Sequence, residues 1–136
     1  MALKIERFQP PDMDVRMQEG KPAYSHVVTV ANPGKIIYVA GQLGRDASGN
    51  IVPGGMRGQV EQTFQNLDKC LKAAGATWAD VVKTNTCVTD YAAFSECRDI
   101  RMRYIGVALP TSTTIQISGL AQPGAMVEIE LVAAIE

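Results

Sequence analysis

The sequence predicts a single α+β domain over residues 1–136, a mixed β-sheet with two helices packed on one of its faces. Three observations predict it. Period-two stretches rich in β-branched residues are interrupted by two stretches of period 3.6, and the elements run in the order β-β-α-β-α-β-β. A chain of 136 residues is also one domain's worth, long enough to bury about two-thirds of the surface its unfolded form exposes.

The elements follow in order. "YSHVVTVANPGKIIYVAGQLG" predicts a hairpin: Val28 and Val30 alternate with polar neighbours, residues 32–34 join a fixed proline φ to a permissive glycine, and β-branched residues resume at "KIIYVAG". "RDASGNIVPGGMRG" is a loop by its Gly, Asp, Asn and Pro content. In "GQVEQTFQNLDKCLKAAGA" the period changes. Val60, Phe64, Leu67, Leu71 and Ala74 fall on one helical stripe, with Gly75 placed as the stop. "VVKTNTCVTD" is a strand, followed by a helix from Ala92 to Tyr104 with Phe94, Cys97, Ile100 and Tyr104 on one side. The last two strands are "PTSTTIQISGL" and "AMVEIELVAAIE", joined by "AQPGA". In the final strand Val127, Ile129, Leu131, Ala133 and Ile135 take one face, and Glu128 and Glu130 begin the other.

Charge and cysteine usage exclude several classes. The formal net charge is −1 with the two signs interspersed, so no nucleic-acid footprint is visible. No apolar run reaches the length of a membrane span and no leader pattern opens the chain, which predicts a cytoplasmic protein with no membrane partner. Cys70, Cys87 and Cys97 are odd in number without C-x-x-C spacing, and His26 has no second histidine. Reduced thiols and no metal are expected, with Cys70 and Cys97 read as core residues.

Two helices cover one face of such a sheet, so the other face must meet water or another subunit. Strand parity assigns Ser112, Thr114, Gln116, Ser118, Glu128 and Glu130 to that face, with Lys83, Asn85 and Cys87 on the middle strand. A polar sheet face is ordinarily just solvated. Small hydroxyls and amides beside Val132 and Ala134 suit a covered face that bears a cleft.

Several stretches carry a resemblance: "AYSHVV", "IYVAGQLG", "QTFQNLDKCLKAAGA", "DVVKTNTCVTD", and the C-terminal "PTSTTIQISGL" followed by "VEIE". Over Tyr24 to Val132 the chain resembles the reactive intermediate deaminase family, Rid or YjgF. Pro110, the spacing to Leu120 and the Glu128-Ile129 pair match its signature pattern. The resemblance implies a chorismate-mutase-like domain, assembled as a homotrimer with small-molecule clefts at the subunit interfaces. It also implies hydrolysis of enamine or imine intermediates such as 2-aminoacrylate to a 2-keto acid and ammonia, without cofactor or metal. The family's suggested ribonuclease activity finds no support in the charge pattern.

In that chemistry an arginine two residues after the signature proline clamps the substrate carboxylate, and a glutamate in the last strand positions water and handles protons. The glutamate matches Glu128 and the pocket tyrosine matches Tyr24; at the arginine's place stands Ser112, which makes the chain a divergent member. A neutral hydroxyl holds a carboxylate less firmly than two charge-assisted bonds do. Either Arg45 or Arg57 supplies the charge, or the substrate lacks a carboxylate, so standard 2-aminoacrylate deamination is not expected.

The remaining candidates carry two readings each. Tyr24 is a pocket residue or a core edge, Cys87 a nucleophile or packing, and His26 a base or a hydrogen-bonded strand residue. Gly41 would let backbone approach a ligand, while Thr114 and Gln116 would contact it. Two functions follow: a cofactor-free hydrolase with Glu128 as acid and base, or a non-catalytic metabolite-binding protein of the same fold.

Overall fold

The computed structural model describes residues 1–136. A four-stranded sheet forms its centre, in the order β5 (Lys35–Leu43), β8 (Val127–Ile135), β6 (Val81–Val88) and β7 (Thr111–Gln116). β8 runs antiparallel to both neighbours, and β7 runs parallel to β6. The sheet is therefore mixed, as the sequence predicts. No helix is long and apolar enough to cross a membrane.

Helix α1 (Gly55–Ala73) packs on β5 and β8 through the predicted stripe: Val60, Phe64, Leu67 and Leu71 are each no more than 2% exposed. Burying side chains of this size contributes roughly 1.5–3 kcal/mol each. Gly75, at φ 79°, ends the helix in the left-handed region that an L side chain resists. Opposite the stripe lie Val81, Val88, Val127, Ile129, Leu131 and Ala133, the inward row of the sheet. Cys97 is buried in this core and Cys70 packs against it, as their core reading requires. Burial also pushes the Cys97 thiol above its usual range, which keeps it protonated and unreactive.

Three features differ from the sequence expectation. The stretch around Asn-Pro-Gly is not a hairpin, because its two strands join different sheets. β4 (Val27–Ala31) pairs with β1 (Lys4–Phe8), an element the sequence does not announce, while β5 pairs with β8. Gly34 shows why: its N–H is taken by the Ile135 carbonyl at 2.9 Å, and a Cβ there would stand 2.1 Å from the Glu136 carbonyl carbon. The glycine admits the β8 backbone rather than folding β4 onto β5. A two-residue ladder, β2 (Met17–Gln18) with β3 (Lys21–Pro22), completes the N-terminal part.

The second helix is broken. α2 (Tyr91–Ser95) stops at Glu96, Cys97 leaves the helical backbone at φ −97° and ψ 18°, and α3 (Arg98–Ile105) starts anew. α3 is held to α1 by the Arg57–Asp99 and Arg103–Glu61 ion pairs and by Tyr104 stacked on Phe64 at 5.0 Å.

The third difference is the facing of β7. Ser112 lies opposite Thr84 and Thr114 opposite Thr86, and both threonines are buried on the helix-covered side. The hydroxyl row therefore faces the helices, and Ile115 faces out with Cys87, Glu128 and Glu130. Ile115 is 52% exposed, so the apolar parity of this strand does not mark the core.

Candidate functional site

The hydroxyl row opens into a cavity of about 610 Å³ between β7, α2, α3 and the N-terminal segment. Tyr24, Ser112 and Thr114 line it. Tyr24 is placed by its neighbours: its carbonyl accepts from Gln9 Nε2 at 2.7 Å, and next to it Ser25 Oγ donates to the Leu109 carbonyl at 2.6 Å. The Ser25 N–H donates to the Pro110 carbonyl at 3.2 Å, so the tyrosine's segment is fastened to the chain entering β7. Leu109 holds φ 50°, a costly conformation for a branched side chain, at the residue where the chain turns into the pocket strand.

Sequence reasoning missed the cavity's charges. Arg16, Arg98 and Arg101 line it and no Asp or Glu does. Arg101 is 7% exposed, and Nη2 donates to Ser112 Oγ at 3.2 Å while Nη1 donates to Gln18 Oε1 at 2.9 Å. Burial pushes its pKa down to about 10, which leaves it protonated at neutral pH. The signal was in the spacing: residues 94, 97, 101 and 104 fall on one helical stripe, so a guanidinium stands among the inward residues.

Neither arginine expected to supply the charge is here. Arg57 is engaged by Asp99, whose carboxyl it holds below the usual carboxylate range, and Arg45 donates to Gln122 Oε1 at 3.3 Å. His26 is hydrogen-bonded but stands in a bend just before β4 rather than in a strand, with Nε2 2.8 Å from the Asp14 carbonyl oxygen and its ring edge-on to Tyr24 at 5.2 Å. Gln116 is not a pocket residue; its Oε1 accepts from the Tyr91 N–H at 2.8 Å, capping α2. Ser118 is exposed beyond the end of β7.

Glu128, Gly41 and Cys87 form a second group on the opposite, open face. A Cβ on Gly41 would come within 2.8 Å of Glu128 Cδ, so the carboxylate lies across the glycine. Cys87 pairs with Glu128 in the ladder and makes no side-chain hydrogen bond. On the same face Asn85 Nδ2 donates to Glu130 Oε1 at 3.1 Å, whereas no hydrogen bond or ion pair occupies the half-buried Glu128. In one chain β6 and the thickness of the sheet separate Glu128 from Ser112. The expectation that they share a face is corrected by the β6–β7 register.

Comparison with known proteins gives a consistent family. The family model described as Endoribonuclease L-PSP matches residues 18–135. The 2-iminobutanoate/2-iminopropanoate deaminase of Rattus norvegicus is 38% identical over 112 residues, 82% of this chain and 79% of that protein. The human protein of the same name is 35% identical over 111 residues, 81% and 78% of the two chains. Among solved structures, a Yersinia pestis protein of the conserved Rid family, of unknown function, superposes with a TM-score of 0.79 at 30% identity. That alignment covers 96% of this chain and 98% of that one. RidA from an Antarctic Psychrobacter gives a TM-score of 0.69 at 28% identity, covering 89% and 98%. With the family model matching nearly the whole chain and the sheet carrying the same fold as these structures, the chain belongs to the Rid family.

Proposed function

We propose that this protein is a cofactor-free hydrolase of small imines and enamines, working in clefts that two copies of the chain build together within a homotrimer. The observation that carries the reading is Glu128, a half-buried carboxylate lying across Gly41 with no partner of its own. Its neighbour Glu130 is occupied by Asn85. A carboxylate left free in this way is available to move a proton.

Hydrolysis needs two proton movements at one place. Water oxygen bonds to the imine carbon as the C=N π pair moves to nitrogen, the carboxylate taking the water's proton and returning it to that nitrogen. The carboxylate next takes the hydroxyl proton of the tetrahedral adduct and delivers it to nitrogen, so that the C–N bond breaks with ammonia leaving as the carbonyl forms. An enamine enters the same route after protonation on carbon. Glu128 takes both roles, and Tyr24 with Ser112 and Thr114 orients the substrate in the cavity.

The test is direct. Imines generated by an amino-acid oxidase and trapped with semicarbazide report the time they survive. Added protein is expected to shorten that time well below the value in buffer alone; ligand binding without any acceleration would instead leave a non-catalytic metabolite-binding protein.

Because Glu128 and the cavity residues lie on opposite faces of one sheet, a second copy must present one group to the other. The open face carries exposed apolar residues suited to this, with Ile36 41%, Tyr38 80% and Ile115 52% exposed. Sedimentation equilibrium at micromolar concentration is expected to give a trimer, and Tyr38→Glu a monomer with little imine hydrolysis, since a charge in the buried centre of an interface is costly. A monomeric wild type that hydrolyses imines would remove the shared cleft.

Gly41 supplies a finer check. The nearest atoms to a methyl at this position would be those of the flexible Glu128 side chain, three of them within 3.1 Å. Gly41→Ala is expected to keep the melting temperature near that of wild type while lowering turnover by about ten- to a hundred-fold, through displacement of the carboxylate.

A further inference from the structure

We propose that Arg101, reaching the cleft from α3, is the residue that anchors an anionic ligand group there and so decides between charged and neutral ligands. The inference deepens the reading of the cleft as an imine-hydrolysis site and rests on it for the substrate's other end. Arg101 is among the few charged side chains removed from water in this fold, at 7% exposure. It belongs to none of the five ion pairs. Its acceptors are all neutral: Gln18 Oε1 at 2.9 Å, Ser112 Oγ at 3.2 Å and Met102 Sδ at 3.4 Å.

A guanidinium buried against neutral acceptors loses hydration without a counter-charge to replace it. Elsewhere on α3 the outward arginine is handled differently: Arg103 is paired with Glu61. The cavity at Arg101 lacks any lining carboxylate and adds Arg98 and Arg16. An entering carboxylate would meet a planar donor fork inside a partly desolvated wall, where two charge-assisted bonds are at their most effective.

Ser112 is part of the device. Its hydroxyl is within one hydrogen bond of Arg101 Nη2, so a second guanidinium rooted at 112 would crowd the first. A small hydroxyl there leaves room for the ligand and fixes the fork's direction. The charge therefore comes from the helix while strand β7 contributes only a hydroxyl.

The probes are 2-oxobutanoate and its uncharged analogue 2-oxobutanamide, titrated into the trimer-concentration range by calorimetry. Wild type is expected to bind the acid at least tenfold more tightly than the amide. Arg101→Met is expected to erase that preference with amide binding little changed, and Arg101→Lys to keep part of it, because a point charge survives without the fork. The double variant Arg101→Met with Ser112→Arg returns a guanidinium from the other side of the same hydrogen bond and is expected to restore the preference. If Arg101→Met fails to fold, Arg101→Lys decides the matter by the same acid-to-amide ratio, an undiminished preference there counting against the fork. A wild type indifferent to the carboxylate, or a folded Arg101→Met that keeps the preference, overturns the proposal. Imine hydrolysis with no carboxylate preference would leave the hydrolase reading standing without the anchor, and carboxylate preference without hydrolysis would do the reverse.

Discussion

Glu128→Gln is expected to lower imine hydrolysis by about a hundred-fold or more, with the sedimentation behaviour and the melting temperature unchanged. The substitution keeps the size of the side chain and its reach across Gly41, and removes only the ability to take and return a proton. A hundred-fold loss corresponds to about 2.7 kcal/mol of transition-state stabilisation, well within what one general acid–base group supplies. The loss should appear in kcat and in kcat/KM alike, because the proton moves in the transition state and not on binding. Steady-state rates from semicarbazide competition measure both. Full activity in the glutamine variant would take Glu128 out of the mechanism and send the search to Cys87, its ladder partner.

Gly44→Ala is expected to destabilise the fold by about 3 kcal/mol. This glycine ends β5 beneath α1, and a Cβ would lie 2.5 Å from Gln59 Cα and 2.7 Å from its carbonyl oxygen. Both are backbone atoms of a helix, so the helix itself must shift. Gln59 is buried, and its side chain donates to the Gly124 carbonyl at 3.0 Å and accepts from the Met126 N–H at 2.8 Å. Displacing α1 loosens both bonds, each contributing about 1 kcal/mol, and with them the loop that delivers Glu128 two residues later. Thermal unfolding followed by circular dichroism should show a midpoint about 10 °C lower. An unchanged midpoint would mean that β5 and α1 are not in the contact described.

The helix stripe of α1 was legible because Val60, Phe64, Leu67 and Leu71 repeat at one spacing and a glycine stops them. Strand parity was legible in the same way, but parity names two faces without saying which is inside. In β7 the answer depends on parallel pairing with β6, a contact made over residues far apart in sequence. The isoleucine that suggests the core, Ile115, faces out, and Ser112 and Thr114, which suggest solvent, lie on the helix-covered side. β1 escaped notice because "KIERF" is short and carries three charges, and its strand character comes from pairing with β4. The break at Cys97 has no proline or glycine to mark it. Arg101 was hidden by the habit of placing every arginine outside a helix; its position on the stripe of Phe94, Cys97 and Tyr104 was the available clue.

The strand order has a consequence for synthesis. β8, residues Val127–Ile135, is hydrogen-bonded between β5 and β6, so it is the spine of the sheet. A ribosome delivers β5, α1, β6 and β7 before it delivers that spine. Through most of translation β5 and β6 have no common neighbour, and α1 has half of its platform missing. The nascent chain must carry Val60, Phe64 and Leu67 only partly covered until residues 127–135 have left the exit tunnel. A frameshift or stop anywhere before residue 127 would spare every earlier strand and still leave β5 without a partner and β6 joined to β7 alone. Chaperone holdases are therefore expected to engage this chain chiefly before residues 127–135 emerge, and the arrival of β8 is the event that makes it a domain.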